Sequence, residues 1–170
     1  MNDDDRFIRV LKLKPTAEQA RELLRYASFG ASLPTIRYLL EKVSRDELNG
    51  GVGNSCEALE SLVSHSRCSW RRNNEKEEEE KLLECIEFLL DHGARWNPTG
   101  DSLRYVRQGL GSHDGKYVVS VIRLLLYTPG AADPARVWEL CRTDKLHAKI
   151  RPCDPQLWTE LLELRPNYRP

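Results

Sequence analysis

Apolar residues recur along this chain at the three-and-four spacing of a helix, interrupted by clusters of glycine, proline and asparagine. The clearest stretch is Cys85 to Asn97, CIEFLLDHGARWN. Leu82, Ile86, Leu89 and Leu90 line one face. Gly93 falls where the chain must leave the helix, because glycine takes a left-handed backbone without a Cβ clash. The same pattern predicts a helix over about 17–28, with Ala20, Leu23, Leu24 and Ala27 inward and Gly30 closing it. Thr16 and Gln19 mark its start as a capping box, each side chain satisfying an orphan backbone N–H. Pro34 opens the next helix, which carries Ile36, Leu39, Leu40 and Val43, and the turn residues of 49–54 (NGGVGN) follow. Further helices are expected over about 55–65, 102–110 and 116–127. The last of these is apolar nearly all round, so it is buried on most sides. Its β-branched content also suits a strand, but its place in the spacing described next favours a helix. Asp133-Pro134 caps another helix, with Val137, Leu140, Cys141 and Leu146 inward, until Pro152 breaks the chain. Asp154-Pro155 caps a final one over 156–164. Arg6 to Lys14 reads as irregular or as a short helix. Residues 1–5 and 165–170 read as loose ends.

Paired leucines stand at Leu39-Leu40, Leu89-Leu90, Leu125-Leu126 and Leu161-Leu162, successively 50, 36 and 36 residues apart. A period in the thirties marks a helical array whose units cannot bury their apolar faces alone. The longer first interval fits one period plus an insertion, for which 67–80 (RCSWRRNNEKEEEE) is the candidate. LLDHGARWN resembles the second helix and outgoing turn of an ankyrin repeat, whose pattern is LLxxGAxxN. Leu89, Leu90, Gly93, Ala94 and Asn97 match it position for position. A third unit keeps Leu125, Leu126, Gly130 and Ala131 with one residue too many between. The first keeps Leu39, Leu40 and Asn49, and the fourth only its leucines. The family's Thr-Pro-Leu-His start is nearly absent, its nearest echo being Asp101-Ser102-Leu103-Arg104. The resemblance implies an all-α helical-hairpin solenoid: one domain over 1–170, of about four helix pairs, with an insertion in the second. A tetratricopeptide or HEAT array, or an irregular bundle, is the competing architecture.

A length of 170 residues suits one domain with a proper core. Lys+Arg and Asp+Glu both number 26, so the formal charge is zero, which argues against broad electrostatic capture of nucleic acid or anionic membrane. No apolar run reaches the length of a membrane span. Five cysteines at irregular spacings, behind an acidic start (MNDDDRF) without a signal-like apolar region, lead us to expect reduced thiols in a cytoplasmic protein.

Catalytic and metal constellations are weak. Cys56, His65 and Cys68, and Cys141, His147 and Cys153, lack the paired spacing and fourth ligand of a zinc site. His113-Asp114 reads as an exposed turn pair. GGVG lacks the lysine of a phosphate-binding loop. No cofactor is expected. The acidic run over 75–80 reads most simply as a solvated helix start, its charge favoured by the helix dipole.

Surface recognition remains. By the ankyrin resemblance, fingers and first helices form the binding wall, which points to Pro98, Thr99, Asp101, Arg104, Tyr105 and Arg107. Trp96 is carried with them, although its family position usually packs. Trp70, Arg71 and Arg72 in the insertion form a second candidate patch. The expected function is a non-enzymatic module that binds a partner protein as adaptor, scaffold or inhibitor. The alternative is a nucleic-acid-associated subunit using Arg67, Arg71, Arg72, Arg104 and Arg107.

Overall fold

The computed structural model describes residues 12, 14–51, 54–65, 75–98 and 100–165. Ten α-helices account for most of them: α1 (Ala17–Phe29), α2 (Leu33–Leu40), α3 (Arg45–Leu48), α4 (Glu57–Val63), α5 (Glu75–Asp91), α6 (Asp101–Leu110), α7 (Gly115–Tyr127), α8 (Pro134–Cys141), α9 (Asp144–Cys153) and α10 (Pro155–Glu163). No strand occurs among the described residues, only an isolated parallel bridge between Trp96 and Ala132. No described helix is long and apolar enough to cross a membrane.

The helix starts follow their capping residues. Thr16 and Gln19 form the expected capping box on α1. Ser44 and Glu47 form a second one, which nucleates α3, a short helix just before the turn residues of 49–54 that the sequence reading does not assign. Asp114, Asp133 and Asp154 accept from the backbone N–H groups of Tyr117, Ala135 and Leu157 and so begin α7, α8 and α10.

Two expectations at helix ends need correction, and a third holds with a change of detail. Gly30 does close α1 as its C-cap, but at φ −92°, and it is Ala31 that takes the left-handed conformation of the turn, at φ 48°. Ala31 N–H donates to Ser28 O at 3.0 Å and Ser32 N–H to Ala27 O at 3.1 Å, the paired bonds of a Schellman cap. Gly93 closes α5 in the same way at φ 84°, with Ala94 N–H reaching back to Leu89 O at 3.0 Å. Pro152 does not break the chain: it sits in the last turn of α9, where losing one ladder bond is tolerated, and the helix ends after Cys153. The segment behind Asp133 is two helices, divided at Arg142-Thr143, where Thr143 is extended (φ −79°, ψ 142°).

Contacts between helices run in two files. In one, α1 touches α4, α4 touches α6, α6 touches α8, and α8 touches α10. In the other, α2 touches α5, α5 touches α7, and α7 touches α9. Leu39, Leu89 and Leu125 all lie in the second file, fully buried or nearly so. Leu161 does not join them. It belongs to α10, which packs on α8 and α9, so the last leucine pair has a different structural role from the other three. The core is continuous along both files, with Leu24, Ile36, Leu59, Leu62, Ile86, Leu110, Ile122, Val137 and Ile150 all nearly solvent-free. Gly109 allows α6 to lie directly on the end of α4: a Cβ there would come within 2.1 Å of the Ser64 carbonyl oxygen.

The outgoing turns are stitched to one another. Asn49 is buried, donates to Gly93 O at 2.9 Å, and accepts from Arg95 N–H at 2.7 Å. Cys56 N–H donates to Arg95 O at 2.7 Å, Asn97 N–H to Ser55 Oγ at 3.0 Å, and Trp96 N–H to Ala131 O at 2.6 Å. Three successive turns are thereby held by polar contacts that no helix supplies.

Candidate interaction face

The first file presents its polar side to solvent, and the residues on it follow from helical spacing. In α1 the core takes Ala20, Leu24 and Ser28, which leaves Arg25 and Phe29, one turn apart, on the opposite side with Tyr26 beside them. In α4 the core takes Ala58, Leu59, Leu62 and Val63, leaving Glu57, Glu60, Ser61 and Ser64. In α6, Leu103, Val106 and Leu110 turn inward, and Arg104 and Tyr105 outward.

Large apolar surface is concentrated here. Phe29 is 69% exposed, Tyr105 64% and Tyr26 58%. A groove of about 370 Å³ lies between α1, α4 and α6, lined by Arg25, Glu57, Glu60, Ser61, Ser64, Ser102, Tyr105 and Val106. The Arg25 guanidinium leans on the Tyr26 ring, 5.2 Å from its centre, and donates to its hydroxyl at 3.4 Å; neither Glu57 nor Glu60 is ion-paired to it. Burial raises the Glu60 carboxyl above its ordinary value, against the Ser55 and Ser102 hydroxyls that favour its charge, and the Glu57 charge raises it further. His65, next to Ser64, places its ring 5.9 Å from that of Phe29, its basicity lowered by burial.

The residues singled out from the sequence scatter. Asp101, Arg104 and Tyr105 are exposed, and Tyr105 lines the groove. Trp96 is fully buried and Pro98 is buried, so neither is presented to a partner; Trp96 fills the core beneath the stacked turns. Arg107 is half-buried and donates to Glu139 O at 2.6 Å, tying α6 to α8. Thr99, Trp70, Arg71 and Arg72 lie outside the described residues, as do Arg67 and Cys68. Glu75 to Glu80 are the opening turns of α5, as the solvated-helix-start reading of the acidic run expects.

His113 is a second correction at this scale. It is 2% exposed, not a surface turn residue. Its Nδ1 is 3.0 Å from Glu79 Oε1, its Nε2 is 2.9 Å from His65 O, and its ring packs 4.2 Å from that of Tyr117. The Lys149 ammonium donates to its carbonyl. Glu79 therefore leaves the solvated acidic run to serve the core.

The sequence reading missed Arg25, Tyr26 and Phe29, and the Glu57–Ser64 side of α4. Their signal was the polar stripe of two amphipathic helices. A second groove on α8 holds Trp138, Arg136, Arg142, Glu139 and Arg165; Arg136 is paired with Glu139 at 2.9 Å.

Chemistry is sparse in this arrangement. Burial pushes the Cys56 thiol up to about 11 and raises Cys141 further still, so both are protonated at neutral pH. His147, expected beside Cys141 and Cys153, stacks on Trp158 at 4.3 Å. Among the described residues no group of three histidine, cysteine or acidic side chains is placed to hold a metal. No family model, curated protein or solved structure gives a significant match to this chain.

Proposed function

We propose that this chain is a non-enzymatic protein-interaction module of ankyrin-like build, whose partner surface is the solvent side of α1, α4 and α6. The observation that carries the reading is the exposure of three large aromatic residues on this side of the molecule: Tyr105, which lines the groove, and Tyr26 and Phe29 on α1, the helix that lends Arg25 to it. Aromatic and arginine side chains dominate binding energetics because they bring large contact area at little entropic cost. The architecture is compatible with an array of paired helices: successive members touch along each file, and the LLDHGARWN turn sits at the stitched end. A partner here would be occupied, scaffolded or inhibited by steric contact.

The test is capture of partners by the full chain beside Tyr105→Ala, Phe29→Ala and an Arg142→Ala control outside this face. A stoichiometric protein retained by the parent chain and lost by at least tenfold with Tyr105→Ala supports the reading. A turnover abolished by one polar substitution overturns it. So does a chain that retains only nucleic acid, more strongly at low salt.

A further inference from the structure

On that reading of the face, we infer that the groove between α1, α4 and α6 receives a lysine or arginine side chain from a partner segment, flanked in that segment by an apolar residue. Four observations meet here. Glu57 and Glu60 project from the same side of α4 into one groove, and no described cation pairs with either. Among the described residues, the one cation lining the groove is Arg25, which is turned onto Tyr26 and donates to its hydroxyl. Tyr105 forms the far wall with most of its ring in solvent, in reach of an entering cation for a face contact. Phe29 extends the rim with uncovered apolar surface.

The physical chemistry favours one sign of ligand. Glu60 is partly withdrawn from water beside a second carboxylate, so its charged form is disfavoured as long as no cation pairs with it. A partner cation relieves that repulsion and gains the aromatic wall together. An anion would meet two carboxylates and a single arginine already engaged. The α8 groove, with Arg136, Arg142 and Arg165, has the opposite balance and serves as an internal control.

The test uses a display library of random dodecapeptides selected on the folded full chain, with the selected peptides then measured by titration. Enriched peptides are expected to carry a lysine or arginine beside an aliphatic or aromatic residue. Glu57→Gln with Glu60→Gln should weaken them by about tenfold or more, since removing one side of a desolvated charge pair leaves the other unpaired. Tyr105→Leu should weaken them as well, whereas Arg142→Ala should leave them unchanged. Thermal melts of each variant establish that it is folded, and Glu57→Gln alone serves if the double variant is not. Binding should also fall as pH drops through the raised Glu60 value. Peptides that bind this face but are acidic or uncharged overturn the inference while leaving the interaction face standing. Peptides that map only to Arg136, Arg142 and Arg165 overturn the inference and move the partner surface to α8. Peptides that bind the parent chain and the Tyr105 and Phe29 variants equally overturn both readings.

Discussion

Ala31 occupies a left-handed backbone conformation immediately after Gly30, which stays at φ −92°. An alanine at φ 48° suffers the Cβ crowding that makes the left-handed region a glycine preserve. Ala31→Gly should therefore stabilise the chain by about 0.5–1 kcal/mol after the greater freedom of an unfolded glycine is subtracted. Urea denaturation followed by circular dichroism reads this directly, and an unchanged midpoint would contradict the assignment. Asp154 makes the opposite case. Its carboxyl is held below the ordinary range first by the Leu157 N–H and then by Arg123, whose Nε lies 2.9 Å away. Such a lowered carboxyl stabilises the fold above its unfolded value and loses that contribution as pH falls through the folded one. Asp154→Ala should cost about 1 kcal/mol at neutral pH, with the difference from the parent chain vanishing in strong acid. His65 adds to acid sensitivity. Burial lowers its value, so folding favours its neutral form, and stability should begin to fall as pH drops below 6.5.

Between elements, the polar contacts at turns decide more than the helices themselves. Asn49 joins α3's carbonyl at Arg45 to both sides of the turn after α5. Asn49→Ala strands buried backbone groups and should destabilise by about 2–3 kcal/mol, measured by urea titration. Asn49→Asp should recover little, since a carboxylate cannot donate to Gly93 O. This junction also shows what was legible. The pattern LLDHGARWN announced a helix, its glycine cap and its exit, because local spacing and local backbone freedom suffice to write them. Capping pairs such as Thr16/Gln19 were equally plain. The split between α8 and α9 was not, because Thr143 makes no side-chain cap and the apolar spacing runs on from Cys141 to Leu146. Trp96, Arg107 and His113 were misplaced for a common reason: their burial is set by segments far away in sequence. Ala131 bonds the Trp96 backbone, the Glu139 carbonyl takes Arg107, and Glu79 and the His65 carbonyl take His113. The periodicity of one helix cannot report what a distant one brings to it.

Across the whole molecule, contacts along each file connect successive helices, so cooperativity depends on the interfaces between neighbours. Trp96 reports the middle of the chain and Trp158 its last helix, where it packs with His147 and Trp138. Single-tryptophan variants retaining one or the other should unfold together in urea when the rest of the sequence is intact. With Asp154→Ala added, the Trp158 transition should move to lower urea while the Trp96 transition lags behind. Coincident transitions in that background would mean tighter coupling than neighbour contacts supply.

The close seat of Gly109 on the Ser64 carbonyl bears on how this protein tolerates change. Residue 109 is buried and offers no side chain to a partner, yet it sits on the backbone of Ser64, a groove-lining residue, and any side chain there must push α6 off α4. The groove walls would part, with Glu57, Glu60 and Tyr105 all chemically intact. In a saturation scan scored for both abundance and binding, position 109 should behave as part of the recognition surface although no partner atom reaches it. Variation among descendants of this sequence should be strictly limited there, and freer at solvent-facing positions such as Gln108.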